Sequence, residues 1–290
     1  MRLFEFAAPK SLEEAYKILS RADADVRALA GGTDLIDQVH QGRRKPSIVM
    51  DIKGIPEMKR LAFDREGLHI GAGASCTDIY NFPPVKKNYI SIAESAALVG
   101  SVQIQNRAGI GGNICNAAPS ADTAPSLIVH NARVVIAGPK GQRVLPIEQF
   151  FLGPGQNAMA KDEILLGIVV PPPPASSASH YLRFIPREEM DIAVAGVASM
   201  VVIDPKSKVC KTARIALASV APTPVRAKDA EAVLEGHVIN EALIREAGEK
   251  AINAAKPITD VRGSIEYRKE LVKVLTRRTL TKCLETLGNR

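Results

Sequence analysis

Two glycine-rich segments give this sequence its clearest chemical signal. The first reads LAGGTDL over residues 29–35, and the second reads GIGGN over residues 109–113. Paired glycines let a backbone turn sharply, and successive N–H groups can approach a bound anion because no Cβ stands in the way. Two such loops facing each other would suit the diphosphate of a dinucleotide. For the first segment the alternative is a plain structural turn, in which Thr33 or Asp34 caps the next helix.

The residues after the second segment add amide, hydroxyl and carboxylate groups. Asn116, Ser120 and Asp122 are of the types that bind ribityl or ribose hydroxyls. Neither segment matches G-x-G-x-x-G, and residues 71–75, GAGAS, lack the third glycine of that pattern. The sequence therefore argues against a nicotinamide-dependent dehydrogenase of the Rossmann type.

Short strands and helices are expected to position both loops. Ser11 and Glu14 form a capping-box pattern that predicts a helix over residues 11–20. Apolar runs predict a helix at 89–99 and strands at 26–30, 48–52, 61–63, 68–70, 132–137 and 164–170. The first of these strands ends at the first glycine loop, and residues 64–67 join the third and fourth strands as a hairpin turn would.

Four consecutive prolines at residues 171–174, followed by ASSAS, form the strongest change in composition along the chain. We therefore place one domain over residues 1–175 and a second over residues 176–290. Apolar runs in the second domain predict strands at 181–185, 193–203 and 212–220. Helices are expected after these strands, the last one starting near Ser264.

The composition limits the class of protein. The 290 residues are 46% hydrophobic and 24% charged, which is typical of globular proteins and excludes collagen-like, coiled-coil and disordered classes. No apolar run reaches the roughly 18 residues of a membrane span, and residues 1–10 lack the apolar stretch of a secretory signal. We therefore expect a cytoplasmic protein. The four cysteines form no CxxC pair, so no metal site is expected.

Four segments in the same order carry a resemblance to a known family. They are AGGTD at 30–34, GIGGN at 109–113, DEIL at 162–165 and REEMDIA at 187–193. Together they resemble the FAD-binding medium subunit of molybdenum hydroxylases, the family of xanthine dehydrogenase and aerobic carbon monoxide dehydrogenase. The resemblance covers essentially the whole chain. It implies an α+β fold, with a PCMH-type FAD-binding domain of two subdomains and a C-terminal domain of a three-stranded antiparallel sheet plus helices.

The resemblance also implies roles for individual residues. Asp122 would accept a hydrogen bond from a hydroxyl near the ribose, and Leu165 would pack on the adenine side. Arg183 stands where relatives often carry Lys near the flavin, and Ile192 would face the isoalloxazine ring and leave room for nicotinamide. The diphosphate would be wrapped by Arg27, Ala28, Leu29, Ala30, Gly31, Gly32, Thr33 and Asp34 on one side and by Gly109, Ile110, Gly111, Gly112 and Asn113 on the other.

Residue type alone leaves other interpretations of these positions open. Leu165 and Ile192 could be core residues, and Arg183 could be a solvated surface charge. Asp122 could cap a helix that begins at Thr123. Only the joint arrangement favours a cofactor site.

The function implied by the resemblance is electron transfer through FAD. Electrons would come from a molybdenum cofactor in a large subunit, pass through [2Fe–2S] clusters in a small subunit, and leave the FAD for NAD⁺. No catalytic residue and no metal ligand is expected in this chain itself. The nearest branch is bacterial xanthine dehydrogenase, as a dimer of heterotrimers. A complex acting on carbon monoxide, nicotinate or another heteroaromatic or aldehyde substrate is the alternative.

Two rival functions come from other classes. The formal net charge is +7, and 17 of the 38 basic but only 11 of the 31 acidic residues lie from Asp204 onward. This basic C-terminal third could bind a polyanion, although acidic residues are interleaved with the basic ones and aromatic residues are only 4% of the chain. A stand-alone flavin oxidase is the second rival. It would need its own acid or base, or a flavin-attaching His or Cys, and the sequence offers neither in a recognised context.

Overall fold

A computed structural model describes residues 3–21 and 23–288 of the chain. The first subdomain is a small parallel sheet with the strand order β1–β3–β2. Its elements are β1 Glu5–Ala7, α1 Leu12–Leu19, β2 Val26–Leu29, α2 Leu35–His40 and β3 Ile48–Asp51. Ser11 caps α1, because its hydroxyl accepts the Glu14 N–H at 3.2 Å. The predicted first helix and the strand that leads into the first glycine loop are both confirmed.

The second subdomain is built on a five-stranded antiparallel sheet with the order β4–β5–β10–β6–β7. Its strands are β4 Leu61–Asp64, β5 Gly67–Gly71, β6 Arg133–Gly138, β7 Gly141–Pro146 and β10 Ile164–Val170, with a separate pair β8 Phe151–Gly153 and β9 Gln156–Asn157. Its helices are α3 Cys76–Asn81, α4 Pro83–Asn88, α5 Ile90–Ala97, α6 Val102–Gln105, α7 Ile110–Asn116 and α8 Thr123–Val129. The hairpin predicted at residues 64–67 is confirmed.

The C-terminal domain is an antiparallel sheet covered by helices. Its elements are β11 Ser177–Phe184, β12 Ala195–Ile203, β13 Cys210–Ala218, β14 Val225–Arg226, α9 Lys228–Leu234, α10 Glu241–Ala251 and α11 Ile265–Gly288. The three long strands agree with the expected three-stranded sheet, but β14 adds a short fourth strand that pairs with Ala216 and Leu217. Short 3₁₀ helices lie at Ile52–Gly54, Pro56–Lys59, Ile147–Gln149 and Ile252–Ala254. Across the described residues, no helix is both long and apolar enough to span a bilayer.

The segment after the prolines has the composition of a flexible linker but is part of a β-strand. Ser177 and Ser179 belong to β11, where they pair with Val202 and Met200. Small polar residues resemble a flexible linker in sequence, but here the sheet partner supplies the hydrogen bonds that order them. The first strand of the C-terminal domain therefore starts four residues before the predicted position of 181.

The two faces of the C-terminal sheet belong to two different cores. Met200 of β12 joins the core that contains α5 and α8 of the preceding domain. Val197 and Val201 are an odd number of positions from Met200 along the same strand, and they join the core formed with α9, α10 and α11. Successive side chains of a strand point to opposite faces, so one sheet packs against both layers. The domains are therefore joined by a continuous apolar contact.

Candidate cofactor cleft

A cleft with a volume of about 380 Å³ lies where the two glycine loops meet. The predicted contacts that line it are Arg27, Ala28, Ala30, Gly31, Gly32, Thr33, Asp34, Gly109, Gly111, Gly112, Asn113 and Leu165. The cleft is also lined by Val99, Asn157, Met159, Ala160, Lys161, Glu163 and Ile164, among others. The fold therefore brings together two segments that are far apart in sequence, together with a residue of β10.

Two of the loop glycines are required by packing. A Cβ on Gly31 would lie 1.9 Å from the Arg107 carbonyl oxygen, and a Cβ on Gly111 would lie 2.4 Å from the Ala72 carbonyl oxygen. These distances are far inside van der Waals contact, so a side chain at either place would push the backbones apart. The first loop thus rests directly on the backbone that leads into the second loop.

Gly112 is different, because none of the residues that the structure describes crowds it. The nearest atom to a Cβ built there is the Ala30 Cβ, at 4.0 Å. Gly112 lies in α7, and its side-chain direction is open space at the cleft. In the part of the chain that the structure describes, the backbone N–H groups of Gly31, Gly32 and Thr33 form no hydrogen bond. Free N–H groups beside an open glycine fit an anionic ligand such as a diphosphate.

Several side chains fix the loops, and one of them was missed by the sequence analysis. Lys53 donates to the Ala30 carbonyl at 3.0 Å and to Asp51 Oδ1 at 2.7 Å. Lys53 therefore connects the first loop to the end of β3. In the sequence, the only signal for this contact is a lysine shortly after β3. Asp34 directly precedes α2, and its side chain makes no capping hydrogen bond to that helix.

Asp122 and Arg183 lie outside the lining of the cleft and contact each other. The Tyr181 hydroxyl donates to Asp122 Oδ1 at 2.7 Å, and Arg183 Nη1 donates to Asp122 Oδ2 at 2.5 Å. Burial raises the pKa of the Asp122 carboxyl, while the Arg183 charge and the Tyr181 hydrogen bond act against this rise. Gly196 leaves room for the Tyr181 hydroxyl, which would lie 2.5 Å from a Cβ there. We call Asp122, Tyr181 and Arg183 the junction cluster.

The junction cluster changes two of the interpretations left open above. Arg183 is a buried partner of Asp122 rather than a solvated charge. Asp122 precedes α8, but its side chain makes no capping hydrogen bond. The flavin-side role of Arg183 and the ribose-side role of Asp122 stay predictions.

Of the other predicted contacts, Leu29, Ile110 and Ile192 do not line the cleft. Ile110 is fully buried, and Leu29 is half-buried beneath the first loop, where a Cβ on Gly32 would lie 2.9 Å from its Cδ1. Ile192 is 47% exposed, so it is not a core residue. Leu165 is buried in the cleft wall. The role of Ile192 beside the isoalloxazine ring also stays a prediction.

The described residues contain no cluster of metal-ligand side chains and no thiol with a lowered pKa. They contain no group of three or more His, Cys, Asp or Glu side chains that could hold a metal ion. Cys115 lines the cleft, and burial raises the pKa of its thiol to about 12. A thiol with this pKa is a poor nucleophile at neutral pH, because the thiolate is the reactive form.

The basic residues of the last helix are partly neutralised within the chain. Arg268 is buried and donates to Asp260 at 2.7 Å, and Lys273 contacts Glu249 and Glu270. These residues were part of the basic pattern that prompted the polyanion-binding hypothesis. Their ion pairs weaken that hypothesis.

Sequence profiles and relatives identify the family. The profile described as "FAD binding domain in molybdopterin dehydrogenase" matches residues 2–173, and "CO dehydrogenase flavoprotein C-terminal domain" matches residues 180–283. The chain belongs to the FAD-binding medium subunits of molybdenum hydroxylases. This confirms the resemblance and makes the protein the FAD subunit of an oxidoreductase.

Relatives of this FAD subunit are named as subunits of dehydrogenases with different substrates. It is 31% identical to the carbon monoxide dehydrogenase medium chain of Hydrogenophaga pseudoflava over 96% of both chains. It is 30% identical to the nicotinate dehydrogenase FAD-subunit of Eubacterium barkeri, over 99% of this chain and 98% of the other. It is 28% identical to the xanthine dehydrogenase FAD-binding subunit of Escherichia coli O157:H7, over 99% of both chains.

The fold of the FAD subunit also matches a solved enzyme. A structure of carbon monoxide dehydrogenase from Hydrogenophaga pseudoflava, lacking the Mo-pyranopterin moiety of its cofactor, aligns with a TM-score of 0.93 at 31% identity over 98% of both chains. A match over nearly the full length of both chains supports the expected two-domain architecture.

Proposed function

We propose that the cleft holds the diphosphate of FAD between the two glycine loops. The observation that carries this proposal is Gly112, because no contact with the described residues explains why its side chain is missing. The unpaired N–H groups of Gly31, Gly32 and Thr33 would donate to phosphate oxygens. Lys53 would hold the first loop in this conformation through the Ala30 carbonyl.

The rest of the cleft would contact the remaining parts of the dinucleotide. Leu165 and Val99 supply apolar surface in the wall. Asn113 is held by Thr123, whose hydroxyl donates to its Oδ1 at 2.6 Å, so its amide N–H groups stay free to donate. FAD, when bound, would supply the redox chemistry, and the residues of this chain would bind and orient it.

We infer that the subunit relays electrons from [2Fe–2S] clusters of a small subunit to NAD⁺. The electrons would originate at the molybdenum cofactor of a large subunit, in a xanthine dehydrogenase-type complex built as a dimer of heterotrimers. The likeness to a xanthine dehydrogenase subunit supports this assignment. The exposed aliphatic Ile192 supports nicotinamide as the acceptor, because a small side chain leaves room for a planar ring.

Other substrates of the complex form the second candidate. Subunits of carbon monoxide and nicotinate dehydrogenases are as similar to this chain as the xanthine subunit is. The organic substrate would bind in the large subunit, so no residue of this chain selects among them. An activity screen of the purified complex with xanthine, nicotinate and carbon monoxide would decide.

The decisive experiment is a visible absorption spectrum of the purified subunit before and after acid release of its chromophore. We expect oxidised-flavin bands and a released nucleotide that is FAD and not FMN. A colourless chain that also fails to take up FAD, both alone and with its partner subunits, would overturn the proposal. Anaerobic addition of NADH tests the acceptor, because a reversible NAD⁺ site predicts bleaching of the flavin bands.

A further inference from the structure

Arg44 lies between α2 and β3, and its side chain lines the cleft. Its Nε donates to Gln38 Oε1 at 2.7 Å. Gln38 Nε2 in turn donates to Asn116 Oδ1 at 3.3 Å. Gln38 belongs to the helix after the first glycine loop, and Asn116 ends the helix that holds the second loop. The guanidinium of Arg44 is therefore oriented by a hydrogen-bond chain that connects both loop helices.

The chain does not neutralise this guanidinium. Over residues 3–21 and 23–288, no carboxylate lies within 4.0 Å of Arg44, and its two Nη atoms form no hydrogen bond. Asp25, the nearby acid, pairs instead with Arg27 Nε at 2.9 Å. Burial and the neighbouring Arg27 charge lower the pKa of Arg44, and Asp25 acts against them. Two cations and one anion thus lie together in the half-buried wall of the cleft.

We propose that Arg44 binds the diphosphate of FAD as a further contact that neither loop provides. The assignment rests on the proposed function of the cleft. A guanidinium presents its donors in a planar fork that matches two phosphate oxygens. Because Gln38 occupies Nε, both Nη groups remain available for the ligand. Gln38 acts as a positioning residue, and the anion supplies the direct ion pair that no described carboxylate forms with Arg44.

The test compares the affinities of FAD and ADP for the apo-subunit and for Arg44→Gln. ADP is a probe for the diphosphate because it lacks the flavin ring, and adenosine, which also lacks the diphosphate, is its control and should bind both proteins equally. We expect Arg44→Gln to weaken both ligands about tenfold or more, since a hydrogen bond to a charged group is lost. Arg43→Gln is the matched control, because Arg43 is exposed and pairs with Asp37 at 3.0 Å; it should leave both affinities unchanged.

The outcomes separate this inference from the proposed function. Equal FAD affinity in wild type and Arg44→Gln would overturn the role of Arg44 while the FAD site stands. A loss for FAD without a loss for ADP would also overturn it, because the contact would then lie away from the diphosphate. A wild-type subunit that binds no FAD would instead refute the proposed function. Thermal unfolding without ligand shows whether a loss of affinity reflects misfolding. Arg44→Lys keeps the positive charge, and we expect it to retain more of the affinity than Arg44→Gln does.

Discussion

The cleft and the junction cluster both contain polar groups of the kind that bind cofactors, but they differ in how these groups are paired. In the cleft, the N–H groups of Gly31 to Thr33 and the Nη atoms of Arg44 have no partner among the described residues. In the junction cluster, Asp122 accepts from Tyr181 and Arg183. Arg183 Nε is a buried atom without a partner, but both carboxylate oxygens of Asp122 are paired within the chain. The cleft instead presents several half-buried donors that a bound anion would pair.

The junction cluster is one of several polar contacts between the domains. Glu94 of α5 accepts the Tyr181 N–H at 2.7 Å and contacts His180 Nδ1 at 2.8 Å. Arg214 of β13 donates to the Ile128 carbonyl at 2.8 Å. Together with the apolar core, these contacts fix the C-terminal sheet against the FAD-binding domain. The junction therefore has a structural role that needs no ligand.

The largest expected effect is that of Asp122→Asn on stability. Removing the carboxylate charge leaves the buried Arg183 guanidinium without its partner, which typically costs about 3–5 kcal/mol. We expect a loss of this size in the free energy of unfolding, measured by urea denaturation of the apo-subunit. Because Asp122 is paired by Tyr181 and Arg183 and not by a ligand, we expect this loss of stability in the absence of FAD.

A double variant provides the control for Asp122→Asn. Arg183→Met in the same chain removes the unpaired charge and should recover part of the lost stability. If Asp122→Asn left unfolding unchanged and weakened only FAD binding, the cluster would belong to the cofactor site after all.

The next effect is that of Gly112→Asp on FAD affinity. A carboxylate placed a few ångströms from the diphosphate opposes it by about 4 kcal/mol at an effective dielectric constant near 20. We expect at least a hundredfold weaker binding of FAD and a subunit that purifies without flavin. The measurement is the flavin content of the purified protein together with an FAD titration.

Gly112→Asn is the matched control for this variant. It adds nearly the same volume without the charge, so it should bind FAD more tightly than Gly112→Asp does. Stoichiometric FAD in the aspartate variant would contradict the placement of the diphosphate.

A buried histidine at the contact between the two domains predicts how the stability of the protein depends on pH. Burial, with Arg214 nearby, lowers the pKa of His130 to about 3, and its Nε2 contacts Ser91 and Ser179. In the unfolded chain this histidine takes up a proton near pH 6.5, whereas in the folded chain it stays neutral. Stability is therefore lost as the pH falls below 6.5, by roughly 2 kcal/mol between pH 7 and pH 5.

Unfolding curves at pH 7 and pH 5 test this expectation. His130→Gln should flatten the dependence, because glutamine does not titrate. His237→Gln, at an exposed position, should leave the dependence as it is in wild type. An unchanged slope in His130→Gln would place the titrating group elsewhere.

The sequence predicted the loops better than it predicted the partners of individual side chains. The paired glycines, the strand before them and the Ser11 cap of the first helix are local patterns, and all three are present in the fold. The second half of the capping box is absent, because Glu14 accepts the Lys10 N–H instead of the Ser11 N–H. The pairing of Asp122 with Arg183 joins residues 61 positions apart and depends on how β11 packs on α8. Residue type cannot reveal such a contact. Arg44 and Lys53 were missed for the same reason, because their partners are set by the fold and not by spacing.

The smallest expected effects are those of alanine substitutions at Gly111 and Gly112, two neighbouring glycines of α7. Their effects on stability distinguish a glycine required by packing from one required by the ligand. Gly112→Ala adds a methyl group in open space, and alanine favours a helix over glycine by about 0.5–1 kcal/mol. We expect the apo-subunit to gain stability of this order. Gly111→Ala should instead destabilise it, because the methyl group overlaps the Ala72 backbone.

Thermal unfolding with and without FAD separates the two glycines. If Gly112 is glycine because of the ligand, the apo-protein of Gly112→Ala melts higher than wild type while the stabilisation produced by FAD becomes smaller. Gly111→Ala should melt lower in both states. A Gly112→Ala variant that lost stability without FAD would mean that the chain itself requires this glycine. Gly112 would then be required by the fold, and its open surroundings would not mark a ligand site.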